Sequence, residues 1–182
     1  MGVTAKRILV SLVITLVITS IVAGSDNSGL VVNTYKQDAI SIATPKHWTL
    51  NQDTDQTRFG HWAVVFDTGE FSFFGLYVFY AEKGDPYDNV SLDYYLEKVL
   101  PRVVPEMTES DTKVSTTPLV LAGLSGKKIV VEGNFLGTIN TEVLAFIVTK
   151  KDKKAIALFV SDEKDKENVF NHVESVLNSI AF

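Results

Sequence analysis

Three strand-like runs near the C-terminal end are separated by links too short for anything but antiparallel neighbours. No other feature constrains the fold as strongly. Residues 127–135, 142–150 and 154–161 are rich in Val, Ile, Leu and Phe, a composition that favours strands. The links are Leu136-Gly137-Thr138-Ile139-Asn140 and Lys151-Asp152-Lys153. A parallel pair needs a crossover of about a dozen residues or more, so these runs predict a meander.

The pattern extends upstream. Residues 31–35 and 39–43 read as a hairpin joined by Lys36-Gln37-Asp38, with Ile40 and Ile42 alternating with Ser41. Thr44-Pro45 ends it, because proline cannot extend a central ladder. Residues 51–60 are polar and predict a loop. Residues 62–67 and 72–80 predict two strands around the turn Asp67-Thr68-Gly69-Glu70. The second is apolar on both faces, which predicts a central strand covered from both sides. Ser91 is placed to cap a helix whose apolar face is Leu92, Tyr95, Leu96, Val99 and Val103. Pro101 ends or kinks it. Residues 113–121 predict a strand interrupted by Pro118, and residues 165–179 a closing helix with the stripe Val169, Phe170, Val173, Val176, Leu177 and Ile180. The expected fold class is α+β: an antiparallel sheet covered by helices on opposite faces.

The first 24 residues differ from the rest. Lys6 and Arg7 precede an uncharged run from Ile8 to Ala23, and Gly24 and Ser25 follow. This is the pattern of a secretory signal peptide cut after Gly24. The run counts 16 residues before Gly24, just short of the roughly 17–20 that a spanning helix needs, so an uncleaved membrane anchor is the competing reading. Either way residues 25–182 lie outside the cytoplasm, in the cell envelope or beyond it, with membrane contact through residues 1–24 if the leader stays attached. Residues 25–30 form a polar tether and residues 31–182 one domain. Of 17 basic and 22 acidic residues in the chain, 15 and 22 lie beyond the leader. The resulting formal charge of −7 argues against nucleic acid and against a broad basic face for anionic lipid. There is no cysteine, which excludes disulfides, thiol catalysis and cysteine metal sites.

Four features, taken together in order and spacing, resemble the PsbP family. They are Ile40-Ser41-Ile42-Ala43-Thr44-Pro45-Lys46-His47-Trp48, a strand running into Pro-x-x-Trp; Val64-Val65-Phe66-Asp67; Ser91-Leu92-Asp93-Tyr94-Tyr95-Leu96; and Leu121-Ala122-Gly123-Leu124-Ser125-Gly126-Lys127-Lys128-Ile129-Val130-Val131-Glu132-Gly133 with the terminal Val176-Leu177-Asn178-Ser179-Ile180. The best-known member of that family is an extrinsic subunit of the photosynthetic oxygen-evolving complex. The resemblance covers residues 31–182 and implies an α/β/α sandwich on an antiparallel sheet. It also implies a non-enzymatic accessory or assembly role, with an unidentified protein partner such as a membrane complex. No family metal or docking residue can be matched to a position here. The acidic charge departs from the lysine-mediated docking of the photosynthetic member. The chain resembles a prokaryotic relative, and fold alone does not decide function.

Several groups of residues could carry chemistry. Asn51, Asp53, Asp55 and Thr57 alternate like ligands of a calcium loop, but Gln56 replaces its turn glycine and Trp62 its bidentate glutamate. His47-Trp48 and His61-Trp62 repeat a dipeptide on either side of that stretch. Two imidazoles helped by Asp53 or Asp55 would make a divalent-metal or small-ligand site near His47, His61 and Trp62. The plain alternative, core tryptophans with edge histidines and no metal or cofactor, is the expectation, since two histidines without a diagnostic spacing are a weak metal signal. His172 lies off the apolar stripe and is expected to be solvated. Gly123-Leu124-Ser125-Gly126-Lys127 has too short a glycine spacing for a phosphate loop and is expected to be a turn. Ser125 has no evident base, and no catalytic residue is identified. Tyr77, Phe79, Tyr80, Tyr94 and Tyr95 either fill the core or line a groove. Asn89-Val90-Ser91 is a glycosylation sequon at Asn89.

Overall fold

The computed structural model describes residues 32–37, 40–56, 61–79, 91–98, 100, 112–133, 139–150 and 153–182. The leader, the tether and Asn89 lie outside the described residues. The strands are β1 (Val32–Gln37), β2 (Ile40–Pro45), β3 (Thr49–Gln56), β4 (His61–Asp67), β5 (Phe73–Phe79), β6 (Lys113–Leu121), β7 (Leu124–Gly133), β8 (Ile139–Lys150) and β9 (Lys153–Asp162). Among the described residues the short helices α1 (Leu92–Lys98), α2 (Lys166–Phe170) and α3 (Val173–Ser179) accompany them.

Seven strands form one antiparallel sheet in the order β3-β4-β5-β9-β8-β7-β6. The predicted meander is its second half, β7-β8-β9. Within this sheet β5 pairs with the distant β9, with Phe74 opposite Phe159 and Leu76 opposite Ala157. β5 is therefore central, as its two apolar faces require, and β9 is buried from Ala155 to Asp162 for the same reason.

Alternation along each strand sends residues to two separate cores. Phe74, Leu76, Val78, Phe146, Ala157 and Phe159 point to one, where β1-β2, α2 and α3 supply Ile42, Val169, Val173, Val176, Leu177 and Ile180. Val143, Ala145, Ile156, Leu158, Ile129 and Val131 point to the other, where Tyr95 of α1 and Leu100 pack. Ser91 caps α1 by accepting a hydrogen bond from the Tyr94 N–H at 3.1 Å.

The structure departs from the sequence pattern in several places. Residues 49–56 are not a loop but β3, paired with β4 from Thr49↔Asp67 to Gln56↔His61. β3 is an edge strand, where polar residues are tolerated because one side of the strand meets solvent. The closing helix is two helices, broken at Asn171-His172, which are both modest helix formers. Lastly, helices do not cover the sheet alone. Most of the described chain is strand, and the β1-β2 hairpin shares one face with α2 and α3. Pro118 interrupts nothing, because β6 is the other edge of the sheet and pairs only with β7.

Candidate functional site

Asp53, one of the residues expected near a metal, is a structural tie. It stands on β3 and meets side chains from two other strands. Its Oδ2 accepts a hydrogen bond from the Tyr35 hydroxyl at 2.8 Å, and its Oδ1 accepts one from Trp62 Nε1 at 3.1 Å. The Tyr35 ring stacks on Trp62 at 5.9 Å and meets Phe66 edge-on at 5.8 Å. Trp62 is buried, so its N–H needs this acceptor.

His47 and His61 are not neighbours. A turn closed by the Trp48 N–H donating to the Pro45 carbonyl at 3.1 Å holds His47 just before Thr49. Thr49 pairs with Asp67, whereas His61 pairs with Gln56 at the opposite end of β3. At about 3.3 Å per residue, the two histidines are separated by roughly 20 Å or more along the strand. One ion cannot hold both. Trp62 belongs with Asp53 and Tyr35. The side chains of His61 and Asp55 lie outside the described residues; on the backbone, Asp55 pairs with Trp62.

His47 instead faces His172, with ring centroids 5.7 Å apart and planes tilted by 59°. His172, expected in solvent, is half-buried at the start of α3. Trp48 meets it edge-on at 6.2 Å. Trp48 itself is buried against Phe74 and Phe159. Trp48 Nε1 and His172 Nδ1 are both shielded and find no hydrogen-bond partner among the described residues. Burial, with the nearby His47 adding to it, lowers the pKa of His172 below the usual imidazole range. The pairing depends on the break before α3, which the sequence pattern did not signal.

A cleft of about 190 Å³ lies where β7, β8, the end of β9 and the start of α2 meet. Glu132, Asn140, Glu142, Asp162, Glu163 and Lys166 line it. Glu142 bonds to Lys128 at 2.8 Å and Lys166 at 2.7 Å. Burial raises its pKa, but the bonds and charges of the two lysines outweigh this and hold the carboxyl below the usual range. The cleft was not foreseen, because its residues come from four separate elements. It is smaller than the roughly 300–1,000 Å³ typical of ligand pockets.

Of the aromatics near α1, Tyr77, Phe79 and Tyr95 pack in the core. Tyr95 lies 5.8 Å from Tyr77 and 6.3 Å from Phe79. Burial pushes the Tyr77 hydroxyl up to about 12 and the Tyr95 hydroxyl higher still, so neither serves as a base near neutral pH. Tyr94 is exposed, and Tyr80 lies outside the described residues. Of the expected turn over Gly123–Lys127 only Gly123 turns: Ala122-Gly123 links β6 to β7, residues from Leu124 onward are strand paired with β6, and both glycines have structural reasons. Gly123 has φ of +72°, and a Cβ on Gly126 would come within 2.6 Å of the Ala145 carbonyl oxygen. Ser125 is exposed on β7. Among the described residues no three His, Asp or Glu side chains converge as a metal site.

The fold is shared with a known structure, that of a cyanobacterial PsbP. The solution structure of a cyanobacterial PsbP, CyanoP from Synechocystis sp. PCC 6803, matches with a TM-score of 0.53 at 12% identity, covering 88% of this chain and 99% of that one. The crystal structure of LpqN, involved in cell envelope biogenesis of Mycobacterium tuberculosis, gives a TM-score of 0.41 at 8% identity over 79% and 83% of the two chains. A Pseudomonas aeruginosa protein described as a putative regulator gives 0.34 at 11% identity over 78% and 88%. No protein-family model matches the sequence, and no curated protein matches it. The chain therefore has a PsbP-like fold, and at such low identity the likeness is one of fold.

Proposed function

We propose that this chain is an exported, non-catalytic accessory domain that acts by binding a partner protein at or near a membrane. The observation that carries this reading is β6. It is the outermost strand of the sheet, and its residues from Lys113 to Pro118 are all exposed. Val114 and Val120 stand on the same face of that strand at 45% and 71% exposure. An exposed edge strand offers unpaired backbone groups, and exposed apolar side chains beside it offer a surface to bury. The PsbP-like fold and the basic–apolar leader support the same reading.

The test is crosslinking and affinity purification of the full chain from host membranes, beside a Val114→Asp/Val120→Asp variant. The expected result is a specific crosslinked protein that the variant loses while its thermal melt stays unchanged. Recovery of the same protein by the variant would overturn the assignment to β6.

A further inference from the structure

The hairpin turn and the last helix bring together two imidazoles that lie far apart in the chain. We propose that His47 and His172 form a binding site for a divalent late-transition-metal ion, zinc or a close neighbour, with water completing the coordination. Imidazole suits these ions, and each nitrogen sits about 2.0–2.1 Å from the metal. Each ring centroid then lies about 3.2 Å from the ion, so two rings on one ion can be at most about 6.4 Å apart. The observed 5.7 Å is inside that limit and corresponds to a nitrogen–ion–nitrogen angle of roughly 125°, close to tetrahedral.

The surroundings suit an ion. Trp48 holds the His172 ring edge-on and is itself fixed by Phe74 and Phe159, so one ligand is positioned in advance. His47 is exposed in its turn, so the ion can be reached from solvent on that side. His172 Nδ1 has no hydrogen-bond partner among the described residues. Neutral imidazole is the form that ligates. No third His, Asp or Glu joins the pair among the described residues, so its affinity is below that of a four-ligand structural site. The pair sits at the β2–β3 turn and α3, away from β6, and does not depend on the docking reading.

Zinc titrated into the full chain at about pH 7.5 tests the proposal, read by calorimetry and by the imidazole signals in NMR. The expected result is one ion per chain, with ring signals of His47 and His172 shifting and those of His61 unmoved. His47→Ala and His172→Phe should each weaken binding about tenfold or more, and His61→Ala should leave it unchanged. The phenylalanine keeps a ring against Trp48, so its effect is separated from lost packing. Absence of zinc binding by the native chain would overturn the proposal, as would binding unchanged in His47→Ala and His172→Phe.

Discussion

Asp53 joins separate strands through its two oxygens, and the residue scale is where its role is decided. In the sequence it alternates with other oxygen-bearing side chains and resembles a cation ligand. In the structure one oxygen holds the Tyr35 hydroxyl and the other holds the Trp62 indole. Asp53→Ala leaves both buried donors without that acceptor, which should cost about 1–3 kcal/mol in a urea melt followed by tryptophan fluorescence. Asp53→Asn should recover part of the loss, since its amide oxygen still accepts. An alanine variant as stable as the native chain would show that the tie contributes nothing. His47 is the converse case. Its residue type was legible as a candidate ligand, but its neighbour was not, because His172 comes from an element distant in sequence.

At the scale of elements, the last helical segment carries one of the cores. Val173, Val176 and Leu177 of α3 are buried, and Ile180 follows them into the same cluster. Ser179 Oγ accepts a hydrogen bond from the Ala43 N–H at 2.9 Å. Beyond it, Ser41 and Ala181 exchange two backbone hydrogen bonds at 2.9 Å, so the end of the chain pairs with β2. Leu177→Ala should therefore cost about 2–5 kcal/mol in a denaturant melt. Phe170 is only half-buried, so Phe170→Ala should fall below the roughly 3–5 kcal/mol of a fully buried phenylalanine. Equal stability of Leu177→Ala and the native chain would contradict this packing. The helical stripe was legible from its 3.6-residue period. The break at Asn171-His172 was not, because period alone does not encode where a helix must bend to meet its neighbours. β3 was missed for a related reason: polar residues on an edge strand mimic a loop, and only the partner strand distinguishes them.

At the scale of the whole molecule, the sequence predicts an address as well as a fold. Replacing Leu12, Ile14 and Leu16 together with Asp should block export, since each charge costs about 2.5–3.5 kcal/mol at the centre of a membrane helix. Fractionation of the host would show the triple variant retained inside, and unchanged export would refute the leader. The described residues contain no helix long and apolar enough to cross a membrane. The sequence by itself determined the antiparallel meander, the two-sided burial of β5, the cap on α1 and the absence of any disulfide. Those properties are local, set by side-chain alternation, turn chemistry and composition. Only the tertiary structure decided that β5 pairs with β9, that a hairpin shares the cover of one face, and that His47 meets His172 rather than His61. Those contacts join distant segments, and they follow from which arrangement buries both faces of the central strands at once.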